Sequence, residues 1–163
     1  MTGKDDVFLE EARLGPRSQV LVDCEEVPNI PRLVRRFREY LLTDLAHAVM
    51  LTETDILTGA RGPKLLAGLL EIFDADGDGF PWLAQSGSFL VQVEHRLGQR
   101  IGEDIAGRLQ TGRSRNDQSA AAERLFLRDL LLAVADETFR LQDAVLDQAE
   151  RHAATLMPGY THL

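Results

Sequence analysis

The chain has 163 residues, 44% of them apolar, and a formal net charge of −8. That length suits one domain, or one domain and part of another, and the apolar share excludes wholesale disorder. The negative balance excludes the broad basic surface that nonspecific nucleic-acid binding requires, while a local pair such as Arg113 and Arg115 leaves room for an anionic ligand.

The chain opens on an acidic stretch with no apolar signal core. Residues 1–30 read as an irregular N-terminal segment, with a short strand possible at Val20, Leu21 and Val22 between Gly15-Pro16 and Pro28. Cys24 is the only cysteine. An intrachain disulfide and a cysteine-based zinc site are therefore excluded, and a reducing cytoplasm is the expected location.

Pro31 suits the first turn of a helix. From there to about Thr52 apolar residues recur at helical spacing: Leu33, Phe37, Leu41, Leu45, Ala48 and Leu51. His47 on this helix reads as a packing residue rather than a catalytic one. Gly59 and Gly62 interrupt the pattern, and Pro63 opens a second helix through Phe73.

The stretch from Asp74 to Pro81 is a loop anchored by Trp82. Asp74, Asp76, Asp78 and Gly79 imitate the start of an EF-hand, but the twelfth position is Gln85 where calcium needs a bidentate carboxylate. An acidic surface turn is the better reading. Ser86 or Ser88 caps a third helix to about Gly102, and a short helix follows from Glu103 to Leu109. His95 on the third helix lies among charged residues and reads as solvated.

Beyond a polar loop lies a long helical segment, from about Asp117 to Ala154, without glycine or proline. At 1.5 Å per residue it reaches roughly 55 Å. Leu127, Leu131, Val134, Leu141 and Val145 keep near-heptad spacing, and Leu125, Phe126, Leu130, Leu132 and Phe139 are apolar on other faces. A helix apolar on several faces is buried among others, so further chain, partner subunits or both are expected to cover it. No apolar run approaches the roughly 20 residues that span a bilayer, so a soluble cytoplasmic protein is expected.

Two segments carry chemistry. The first is Thr111-Gly112-Arg113-Ser114-Arg115-Asn116-Asp117-Gln118, ahead of the long helix. A helix start favours anions, Ser114 and Asn116 either cap it or bind a carboxylate, and Arg115 can pair with a carboxylate through two N–H groups. The same residues serve equally well as a helix cap with solvated arginines. The second segment is Met157-Pro158-Gly159-Tyr160-Thr161-His162-Leu163. Histidine suits proton transfer near neutral pH, but alone this pair reads as structural or surface.

Together, TGRSRNDQ and MPGYTHL resemble the first two signature regions of the argininosuccinate lyase family, in the fumarase/aspartase superfamily. Thr43-Asp44-Leu45-Ala46-His47-Ala48 and Gly102-Glu103-Asp104-Ile105-Ala106-Gly107 resemble its N-terminal domain. The resemblance spans about residues 38–163. It implies an all-α fold: an N-terminal helical domain at 31–110, and at 111–163 the truncated start of a central helical bundle. It implies a homotetramer whose active sites each draw on three subunits, a dicarboxylate substrate, argininosuccinate or an analogue, and no metal or organic cofactor.

It further implies β-elimination releasing fumarate, of the arginine-biosynthesis type, with Ser114, Arg115 and Asn116 binding substrate. His162 would assist proton transfer as or near the general acid, alongside Thr161. The family's base is a serine on a Gly-Ser-Ser-x-Met-Pro loop, which these residues do not include. The isolated chain is accordingly expected to be inactive, and a non-catalytic oligomerisation or binding module is the alternative.

Three departures bear on substrate more than on reaction type. Gln110 stands where the family has histidine, and Gly87-Ser88-Phe89-Leu90 where it has a Glu-Asp-x-His segment. The family's N-terminal serine and aspartate have no recognisable counterpart.

Overall fold

A computed structural model describes residues 18–77, 79–83 and 88–162. Gly15, Pro16, Asp78, Gln85, Ser86, Gly87 and Leu163, which figure in the sequence reading, lie outside the described residues. The fold is all-α, with no strand among the described residues. The chain forms two compact units, one ending at Arg124 and the other beginning at Leu125.

In the first unit, α1 (Gln19–Leu21) runs into a π-helical stretch (Val22–Glu26) and then α2 (Val27–Arg35). The short strand that was possible at Val20–Val22 is thus helical, and residues 19–30 of the segment read as irregular are helical too. Ser18 accounts for the start, its Oγ accepting a hydrogen bond from the Leu21 amide at 3.3 Å. Val20 and Leu21 are exposed and only Val22 of the three is buried, so no sheet face rewards an extended backbone. The widened turn precedes Pro28, which has no N–H for the carbonyl four residues back, and the Val27 amide bonds to the Val22 carbonyl instead. Pro31 lies inside α2 rather than opening it.

Arg36, at φ −112° and ψ 13°, separates α2 from α3 (Phe37–Glu53). The buried residues of α3 are Phe37, Tyr40, Leu41, Asp44, Ala48 and Leu51. They fall on one stripe at helical spacing, and Asp44 is the only ionisable carboxylate in it. α4 (Arg61–Ala75) and α5 (Phe89–Ile101) contribute Leu65, Leu69, Ile72, Phe89, Val93 and Leu97 to the same core. A Cβ at Gly68 would come within 2.9 Å of Leu97 Cδ2, so glycine lets these two helices approach. Ser88 caps α5, and Gly102, at φ 95°, ends it.

Trp82 anchors the connecting loop as expected. It packs edge-on against Phe80 at 4.8 Å and Phe37 at 6.0 Å, and its Nε1–H donates to the Gly77 carbonyl at 2.9 Å. α6 (Glu103–Ala106) is one turn long and leads to the polar loop.

α7 (Arg115–Arg151) is the long helix. Gln118 and Ala122 are buried in the first unit, and Glu123 pairs with Arg36 at 2.6 Å. In the second unit Leu131, Val134, Phe139, Leu141 and Val145 are exposed, Leu131 at 67%. The apolar faces that the sequence marked for burial are uncovered within this chain. No helix among the described residues is long and apolar enough to cross a membrane.

Candidate active site

The loop before α7 is held from behind by α3. The Asp44 side chain is fully buried, and its Oδ1 accepts from Arg113 Nη2 at 2.5 Å and from Gln118 Nε2 at 2.7 Å. Burial raises the Asp44 carboxyl from 3.8 to about 6, against the opposing pull of Arg113 and of the two hydrogen bonds. The Arg113 side chain is itself only 7% exposed. Its Nη1 reaches the Thr43 carbonyl at 3.4 Å, and its Nε reaches Gln110 Oε1 at 3.3 Å. His47, one turn after Asp44, donates from Nε2 to the Thr111 carbonyl at 3.0 Å. Burial first, then the Arg113 charge, lowers its pKa below the usual histidine value.

The helix start is capped reciprocally. Ser114 Oγ accepts from the Asn116 amide at 3.1 Å, and Asp117 Oδ2 accepts from the Ser114 amide at 2.9 Å. This is a capping box with aspartate at the third position. Ser114 therefore performs the capping role that the sequence allowed.

Arg115 and Asn116, in the first turn of α7, face a cavity of about 440 Å³ within the first unit. Tyr40 and Gln118 line it from the Asp44 side, and Glu25 and Glu26 from the π-helical stretch. Ser88, one of the residues at which the chain departs from the family pattern, lines it as well. The cavity thus has a cationic, amide-rich wall at a helix N-terminus, suited to a carboxylate, and an acidic wall.

Ser114, Arg115 and Asn116 come together at one helix end. Thr161 and His162 belong to the second unit, past the end of α7, where both are exposed and His162 has φ 57°. Sequence reasoning offered Arg113 with Arg115 as a pair for an anionic ligand and missed that Arg113 is buried against Asp44. The available signal was a carboxylate on the apolar stripe of α3, which requires a buried cation. His47, expected to be a packing residue, is half-buried outside the core and bonds to the signature loop. His95 accompanies Gln99, with 2.9 Å between His95 Nε2 and Gln99 Nε2. In the acidic turn the Asp76 carboxylate accepts from the Gly77 amide at 2.8 Å. No group of three or more metal-capable side chains occurs among the described residues.

These features fall in the region of the chain that resembles known proteins. A family model described as lyase matches residues 45–163. The argininosuccinate lyase of Methanosarcina acetivorans is 43% identical over 127 residues, covering 78% of this chain and 26% of that protein. That of Halorhodospira halophila is 48% identical over 119 residues, covering 72% of this chain and 25% of the relative. That of Azotobacter vinelandii is 41% identical over 131 residues, covering 79% and 28%. The chain spans about a quarter of the length of these relatives.

A helical fold and a family match over most of the chain place it among the proteins of the fumarase/aspartase superfamily. Within it, the chain belongs to the argininosuccinate lyase family and corresponds to the N-terminal portion of its members.

Proposed function

We propose that this chain supplies the first two active-site regions of an enzyme that releases fumarate from argininosuccinate or a related N-substituted aspartate. The observation that carries this reading is the cavity wall made by Arg115 and Asn116 at the start of α7. In the reaction a base takes the proton beside a carboxylate. The C–H electrons form the new C=C bond, the C–N bond breaks, and an acid returns a proton to the departing nitrogen.

The transition state carries extra negative charge next to a carboxylate, so fixed donors aimed at it supply most of the catalysis. Arg115 and Asn116 are the donors here, with Ser114 setting the first turn. Thr161 assists at the substrate, and His162 serves as or near the general acid. The base is a serine on a Gly-Ser-Ser-x-Met-Pro segment that the 163 residues do not contain. The chain by itself is therefore inactive on this reading.

Residues 31–110 form the N-terminal domain on this reading, and 111–163 begin a central bundle in which copies of the chain cover the exposed face of α7. The family resemblance makes that assembly a homotetramer, and a reducing cytoplasm is the location that the exposed thiol of Cys24 fits. The acidic wall at Glu25 and Glu26 and the change at Gly87–Leu90 make the nitrogen substituent the open variable. It is tested by following fumarate release from a series of N-substituted aspartates, using protein that also carries the serine loop. Turnover of argininosuccinate alone would remove the broader substrate class. The uncovered apolar face of α7 favours a second reading, a non-catalytic oligomerisation module, which absence of fumarate from every substrate would support.

A further inference from the structure

Three observations converge on Asp44. First, it is a fully buried carboxylate on the apolar stripe of α3. Apolar replacement of a buried ion pair is often neutral or stabilising, so fold stability is a poor explanation for the pair with Arg113.

Second, its two partners bracket the helix start. Arg113 precedes the capping residue Ser114, and Gln118 lies one turn into α7. Both donate to the same oxygen, Oδ1, at 2.5 and 2.7 Å. One atom therefore fixes both ends of the 113–118 segment, and between them lie Arg115 and Asn116. Third, Gln118 itself lines the cavity. It connects the buried carboxylate directly to the space where a ligand would sit.

We propose that Asp44 is a positioning residue: its ionised carboxylate grips Arg113 and Gln118 and so sets where α7 presents Arg115 and Asn116 to the cavity. The substrate role of Arg115 and Asn116 rests on the lyase reading, whereas the grip does not. Protonation would weaken the grip, because a neutral carboxyl loses the charge-assisted character of both bonds and leaves a buried guanidinium without its counter-ion. Burial places that protonation at about 6. The groups facing Asp44 are Arg113 from the loop and the neutral amide of Gln118 from α7. On α3 itself, His47 titrates beside Arg113. His47 is therefore the competing source of any titration seen in the loop.

The test is an NMR titration of the 163-residue chain from about pH 4 to about pH 8. It follows the Asp44 carboxyl carbon together with the Arg115 and Asn116 amides. The two amides are expected to shift with the midpoint of the Asp44 carboxyl. That titration should vanish in Asp44→Asn and persist in His47→Gln. Hydrogen exchange of the Asn116 and Gln118 amides in Asp44→Asn should become roughly tenfold faster relative to that of the α4 amides.

The proposal is overturned if the loop amides ignore the Asp44 midpoint, if they titrate unchanged in Asp44→Asn, or if they follow His47. Equal loss of protection in α4 would mark Asp44 as merely structural and also overturn it. Should Asp44→Asn fail to fold, the wild-type titration and Arg113→Lys decide. Lysine keeps the charge but not the fork, so the Asp44 titration should survive while protection at 116 and 118 falls. No step uses substrate, so failure here is distinct from failure of the lyase reading.

Discussion

Replacing Asp44 with asparagine should change how stability depends on pH. Burial raises the Asp44 carboxyl from 3.8 to about 6. Between those values the folded chain holds a proton that the unfolded chain has released. The stabilising contribution of the neutral carboxyl is therefore complete below about pH 4 and is lost as pH rises through about 6. A change from 3.8 to about 6 corresponds to roughly 3 kcal/mol.

Asparagine resembles the neutral carboxyl and does not titrate. The stability difference between wild type and Asp44→Asn should thus move by about 3 kcal/mol in favour of the variant from about pH 4 to about pH 7. Urea unfolding followed by Trp82 fluorescence measures this directly. Trp82 is the chain's only tryptophan and sits in the first unit's aromatic cluster. Parallel pH profiles for the two proteins would refute the reasoning, because they would place the Asp44 carboxyl at its ordinary value.

Other consequences follow from the packing. Ser114→Ala removes the acceptor for the Asn116 amide and should cost about 1 kcal/mol, read from urea unfolding. Gly68→Val would push into Leu97 and should destabilise by about 1–3 kcal/mol, visible as a lower melting temperature. The exposed face of α7 should make the chain self-associate. Leu131→Glu with Leu141→Glu is expected to shift it toward monomer in sedimentation velocity, and an unchanged distribution would mean that this face is not what associates.

Several helices were legible because a residue that starts or stops one bounds them, whereas the break at Arg36, inside the helix expected from Pro31 to about Thr52, carries no such residue. Ser88, Pro63 and Gly102 act locally, and so does the long run free of glycine and proline after the signature loop. Val20–Val22 misled because β-branched residues favour strands only where a sheet face receives them, and the Ser18 cap acts on the backbone directly. In the candidate site, the residues on the helix start were legible because capping and anion recognition use local spacing. The Asp44–Arg113 pair was not, because its members are distant in sequence and only the packing of α3 against the loop joins them. The carboxylate on an apolar stripe marked that a partner was needed without saying which.

Exchanging the matching segment of an argininosuccinate lyase for residues 45–163 of this chain, and following fumarate formation from argininosuccinate, tests the central claim most directly. The account expects fumarate release that falls about 10²-fold or more when His162 is replaced by alanine, and that also falls when Arg115 is replaced by lysine. A hybrid that folds and assembles yet forms no fumarate, or one indifferent to His162→Ala, would contradict it.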